Sequence, residues 1–208
     1  MFFQSALFLA SIAVAQNCPL QFDGRMAQAL TLKDLDTSTS PFQTGNVFGK
    51  GLAWSQIVEF NSENKASMFD GTASKPFTMT INDSSIFAPS ATNIQTGFRR
   101  CEMLPATNNG TDASTSGVKT VHFSLMSDKA RPLNFTHEYQ LAFVESNDYS
   151  TNQFALKTGT ISGMNSTDPK TLVLVGNVNA SPLQTLFTTP FTDGVWHNYA
   201  LTLDFNKK

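Results

Sequence analysis

Apolar and polar residues alternate along much of the chain with the two-residue period of β-strands, and the clearest stretch is Asn134 to Ser146, NFTHEYQLAFVES. Phe135, His137, Tyr139, Leu141 and Phe143 form one alternate set; Thr136, Glu138, Gln140, Ala142 and Val144 form the other. Strand side chains project to opposite faces in turn, so the aromatic row is expected in a core and Glu138 with Gln140 on the face away from it. Gly97 to Leu104, GFRRCEML, reads in the same way. If Cys101 and Met103 point inward, Arg100 and Glu102 face the open side. Thr120 to Ser127 sends Val121, Phe123 and Leu125 inward and His122 and Ser124 outward. Further strands are expected at Lys75 to Ile81, Asn152 to Thr160, Thr171 to Val178 and Val195 to Phe205, with a weaker one at Trp54 to Phe60. Met26 to Leu30 reads as a helical turn, and Asp34 to Phe48 and Pro105 to Val118 read as polar loops. No run of ten or more residues carries helical periodicity after the N-terminal segment. Short, turn-bounded strands define an all-β chain, a β-sandwich or jelly roll of the concanavalin type.

Met1 to Ala15, MFFQSALFLASIAVA, carries no charge and ends in small residues, the pattern of a secretory signal peptide cleaved after Ala15. Its apolar run is too short for the ~20 residues of a membrane anchor. Five N-x-S/T sequons, at Asn82, Asn109, Asn134, Asn165 and Asn179, agree with a secreted glycoprotein, although Pro182 follows the Asn179 sequon. Residues 16–208 are then expected to form a single domain, and a monomer. In an oxidising compartment the two cysteines, Cys18 and Cys101, are expected to form one disulfide, with two unpaired thiols as the alternative.

Composition narrows the partners. A net charge of -2 with no basic run argues against nucleic acid and against anionic membrane, both of which need clustered Lys and Arg. His122, His137 and His197 are scattered and make no metal-binding cluster. Neither a Gly-rich loop opening a helix nor a G-x-S-x-G elbow is present, so no cofactor is expected and serine esterase chemistry is unsupported.

Glu102 and Glu138 carry the chemistry that remains. Two carboxylates on separate strands, across a sheet groove, are what glycoside hydrolysis needs, one protonating the leaving oxygen and the other activating water or attacking the sugar. The bland alternative pairs Glu102 with a flanking Arg and leaves Glu138 solvated. Arg100, His122, Ser124 and Gln140 are expected on the same surface, offering donors and acceptors to a hydroxyl-rich ligand. His137 and His197 fall on apolar rows, where a core role is expected.

The segments GFRRCEML, KTVHFSLMSD, PLNFTHEYQLAFVES and DGVWHNYALTLDF, in this order after CPLQFDGR, resemble the fungal glycoside hydrolase family 131 of secreted β-glucanases. The likeness runs from Cys18 to Phe205. It implies a jelly roll that hydrolyses β-1,3, β-1,6 or β-1,4 glucans of fungal or plant walls, without a cofactor and with inversion. Carried onto matching positions, the family's acidic pair falls on Glu102 and Glu138, their roles undecided, with Glu145 the fallback for the second. A functional histidine of the family matches His197 or a position past the end of this sequence. Cys101 stands where the family is expected to carry a small residue. Members continue for several dozen residues past LDF, so C-terminal strands are expected to be lacking here. The rival readings are a lectin-like module that holds β-glucan without cleaving it and an inactive shortened relative; a polysaccharide lyase is weaker, because the face offers few Lys or Arg.

Overall fold

The computed structural model describes residues 18–46, 49, 51–61, 65–107, 113–164 and 168–207. The expected signal peptide lies outside the described residues, as do Asn109 and Asn165. Twelve strands follow in order: β1 (Met26–Ala27), β2 (Val58–Glu59), β3 (Ser74–Lys75), β4 (Thr78–Met79), β5 (Ile86–Ser90), β6 (Asn93–Arg99), β7 (Val118–Leu125), β8 (Glu138–Glu145), β9 (Asn152–Gly159), β10 (Thr171–Val175), β11 (Thr185–Pro190) and β12 (His197–Asp204). Among the described residues the only helical elements are 3-10 turns, so the all-β expectation holds.

Two sheets make the C-terminal half. Four antiparallel strands run in the order β11-β10-β9-β8, and β7 pairs with β12 over eight residues. Phe154 and Leu156 of β9, Leu172 and Leu174 of β10, and Tyr199 of β12 are buried in one cluster, with Phe123 and Leu125 of β7 packed against them. The two sheets therefore meet face to face through their apolar rows. Burying a side chain of this size contributes ~1.5–3 kcal/mol, so this row holds the sandwich closed. Phe123 stacks on Tyr199 with ring centroids 5.1 Å apart, tying the β7–β12 pair within that core.

A second core gathers the N-terminal half around Met26, Leu35, Phe42, Trp54 and Val58. Trp54 is fully buried, and its Nε1 donates to the Gln43 carbonyl at 3.1 Å, which satisfies the one polar atom of the ring. Here the short strands β1–β3 and β2–β4 replace longer expected ones. Met26 to Leu30 is a strand and a turn rather than a helical turn, and Trp54 to Phe60 opens as a 3-10 turn before β2. The two halves touch where Trp196 Nε1 donates to the Lys65 carbonyl at 3.0 Å and where Arg131 bonds both carboxylate oxygens of Glu59 at 2.9 and 2.8 Å.

Three further expectations need correction. The strand expected from Asn134 starts at Glu138, because the Asn134 side chain accepts from the Thr136 N–H at 3.2 Å and from its hydroxyl at 2.8 Å, an Asx turn that competes with the ladder. The strand expected over Gly97 to Leu104 ends at Arg99, so Glu102 lies beyond it. The disulfide does not form: Cys18 is exposed and free, while Cys101 is free and half-buried against the second core, where its thiol takes the place of a small apolar group.

Candidate active site

Glu138 is the first residue of β8 and faces Gly159 across the β8–β9 ladder, with Gln140 facing Lys157. Lys157 Nζ donates to Glu138 Oε1 at 2.7 Å, and the Ser162 backbone N–H donates to Oε2 at 2.8 Å. Directly paired strand residues share a face, and Lys157 alternates with Leu156 of the inter-sheet core. Glu138, Gln140 and Lys157 therefore lie on the face of the four-stranded sheet turned away from that core. Ala155, Val173 and Val175 lie in a small buried cluster with Ile161, and Phe143 and Met164 pack on it. The segment from Thr160 to Met164 thus both closes that cluster and supplies the Ser162 N–H.

Phe143 reaches this cluster although Leu141 belongs to the inter-sheet core with Ala142 and Val144. A bulge between Gln140 and Ala142 inserts Leu141 as an extra residue and reverses the alternation beyond it. The expected aromatic row from Phe135 to Phe143 is accordingly split between two sides. Glu145, the fallback carboxylate, is exposed at the far end of β8.

Glu102 follows β6 in irregular chain, between Cys101 and Met103, which pack on the second core as their alternation implied. Arg100 Nη2 donates to Glu102 Oε2 at 2.7 Å and Arg100 Nε to Oε1, a two-pronged pair. On its other side the Arg100 guanidinium stands 5.2 Å from the Phe87 ring centroid, and Phe87 meets Phe98 edge to face at 5.8 Å. Glu102 and Glu138 share no hydrogen bond, ion pair or common partner among the described contacts; each is matched with its own cation.

These are the two most sheltered ion pairs among the described residues. Side-chain exposure is 21% and 13% for Arg100 and Glu102, and 18% and 29% for Lys157 and Glu138. Every other pair has a partner at least 47% exposed. Sheltered pairs feel a lower effective dielectric than fully exposed ones.

The single polar surface expected to unite Arg100, His122, Ser124 and Gln140 with both glutamates is not formed. His122 and Ser124 do face away from the inter-sheet core, but on the β7–β12 side, opposite to Gln140. Phe69 lies edge to face on the His122 ring at 5.3 Å, and the Ser124 hydroxyl donates to Asn198 Oδ1 at 2.6 Å. His137 sits in the turn before β8, exposed, and not in a core. His197 is half-buried against Phe191 at 5.4 Å, with burial lowering its pKa against a hydrogen bond to the Thr192 backbone. Its Nε2 and the Tyr199 hydroxyl are buried with no protein partner, beside a cleft of about 450 Å³ lined by Phe187 and Trp196; neither glutamate lines that cleft. Among the described residues no three His, Cys, Asp or Glu side chains are grouped to hold a metal ion.

Lys157, the Ser162 N–H and Phe87 were missed from the sequence. A hairpin register through the turn at Ser146 to Thr151 brings Lys157 near Glu138, and that register was the available signal. Phe87 lies in a short Pro-containing run that gives little strand signal.

A model of the glycoside hydrolase 131 catalytic N-terminal domain matches residues 20–208. Among solved structures, the chain is similar to a GH131 β-glucanase catalytic domain from Podospora anserina, with 24% identity and a TM-score of 0.71 over 91% of this chain and 71% of that one. It is also similar to the catalytic domain of the glycoside hydrolase family 131 protein from Coprinopsis cinerea, with 23% identity and a TM-score of 0.66 over 89% of this chain and 69% of that one. No curated protein matches. The two structures share the jelly-roll-like fold, and the matched span holds both sheltered carboxylates and nearly every described residue; the chain belongs to glycoside hydrolase family 131, a family of glycoside hydrolases.

Proposed function

We propose that the protein is a secreted β-glucanase in which Glu102 and Glu138 are the two working carboxylates. The observation that carries this reading is the pair of sheltered ion pairs. Of all the ion pairs described, only these two have both partners sheltered, and their acidic members are the two that the strand pattern and the resemblance single out. The β-glucanase character of the Podospora anserina relative supports the substrate class. In this reaction one carboxyl donates a proton to the glycosidic oxygen as the C–O bond breaks, and the other carboxylate takes a proton from the attacking water.

Inversion is the stereochemical outcome we assign, on the family resemblance; an inverting site keeps its carboxyls ~6.5–9.5 Å apart to admit a water. Secretion is supported by the uncharged apolar leader and by the exposed sequon asparagines Asn82, Asn134 and Asn179.

The test is reducing-sugar release from laminarin, pustulan and barley β-glucan by wild type, Glu102→Gln and Glu138→Gln. Each substitution should lower kcat by ~10²–10⁴-fold with folding intact. NMR of the first product should show the α-anomer. Full turnover in the double variant would end this reading; binding without turnover in the wild type would favour a lectin-like glucan holder.

A further inference from the structure

The β5–β6 hairpin stands beside Glu102 and has no place in the chemistry above. Two of its side chains are large, apolar and open to solvent: Ile94 is 59% exposed and Phe98 46%. From Phe98 a continuous series of contacts leads inward: edge to face onto Phe87, from Phe87 to the Arg100 guanidinium, and from Arg100 in two prongs to Glu102. Arg100 is also held by its backbone N–H, which donates to the Ser85 carbonyl at 2.9 Å, and Ser85 is buried. The aromatic pair and the carboxylate are thus parts of one supported unit.

The surrounding chemistry selects the ligand. Between Ile86 and Gly97 the hairpin carries no charge, and Ser90, Thr92, Asn93, Gln95 and Thr96 give it exposed hydroxyls and amides. Arg99, the one charged side chain of β6, is bonded to Asp83. A flat aromatic face among uncharged donors and acceptors suits a ring that presents C–H groups on its faces and hydroxyls on its rim. β-Linked glucose is such a ring.

We propose that Phe98, braced by Phe87 and Arg100, is a stacking platform that receives a β-glucan chain next to Glu102. This rests on the reading that Glu102 acts on β-glucan. Phe98 is a binding residue in this scheme, and Arg100 a positioning residue for Glu102.

The experiment compares Phe98→Leu and Phe98→Tyr with wild type, reading retardation by laminarin and by barley β-glucan in affinity electrophoresis together with kcat and KM. Leu keeps apolar bulk and removes the flat face, so it should weaken retardation and raise KM about tenfold with kcat nearly unchanged. Tyr keeps the face and should behave as wild type. Equal retardation of wild type and Phe98→Leu by both glucans would overturn the platform, whatever the turnover. So would a Phe98→Leu variant whose only change is in oligomeric state by light scattering, which would make Phe98 a contact between copies. Retardation lost in Phe98→Leu, in a wild type that binds but does not hydrolyse, would support the platform while removing the hydrolase reading.

Discussion

Gly159 faces Glu138 across the β8–β9 ladder, and it does so with a φ of +86°, directly beneath the His137 carbonyl. That carbonyl is fixed because the Thr160 N–H donates to it at 3.1 Å. A Cβ at Gly159 would collide with it, so the residue preceding Glu138 can hold its place only while position 159 has no side chain. Gly159→Ala is expected to cost more than ~1 kcal/mol, about 2–4 °C or more in Tm for a domain of this size. It should also lower turnover by displacing Glu138. Gly159→Asn separates the causes: Asn tolerates positive φ, so a well-tolerated Asn variant would show that backbone strain, and not the collision, decides this position.

Lys157 gives a way to disturb Glu138 without altering it. Partly exposed ion pairs contribute only ~0–1 kcal/mol, so Lys157→Met should change Tm little. Hydrolysis should nevertheless fall, because the carboxylate loses the bond that sets its orientation at 2.7 Å. In a double-mutant cycle, adding Lys157→Met to Glu138→Gln should cost almost nothing further in kcat, since both changes act through one group. Fully additive losses would show that Lys157 works independently of Glu138.

The strands around these residues were legible where apolar residues alternate with polar ones, or, as in β10, run together because both faces are buried. β9, β10 and β12 fall within stretches read as strands, and β7 overlaps its stretch but starts earlier, at Val118, inside the segment read as a loop; each sends one row into the inter-sheet core. The inward placement of Cys101 and Met103 was legible for the same reason. The bulge at Leu141 was not, since no Gly or Pro marks it and its effect, turning Phe143 to the other side, depends on pairing with β9. Nor was the fate of His122: its outward direction follows from alternation, but Phe69, which covers it, comes from a distant loop. Alternation states which side of its own strand a residue takes. It does not say which strands share that side, and for that reason one expected polar surface became two.

The cysteines allow a direct chemical test. Burial, and then the negative charge of Glu102, push the Cys101 thiol up to about 12, so it holds its proton and is a poor nucleophile, whereas Cys18 is exposed. Iodoacetamide at pH 8 without reductant should place one adduct on the folded protein, at Cys18, and two after denaturation. Tm should be indifferent to dithiothreitol. No adduct on the folded chain, with two appearing after reduction and denaturation, would restore the Cys18–Cys101 bridge.

His197 sets the response to mild acid. Burial disfavours its charged form, so its folded pKa lies below the ordinary 6.5 of an exposed imidazole. Above that value both the folded and the unfolded chain hold it neutral, and it does not affect the balance. As pH falls through 6.5 the unfolded chain takes up the proton first, so stability is lost from there down to the folded pKa. The acidic residues with lowered values, Asp128 and Glu59 among them, start from 3.8 and 4.5, so their loss begins lower. Between pH 7.5 and 5.5 wild-type Tm should therefore fall more steeply than that of His197→Asn, whatever the offset between the two proteins at pH 7.5. Parallel curves would mean that His197 accepts its proton in the folded state as readily as in the unfolded one, and that the unpartnered Nε2 is reached by water.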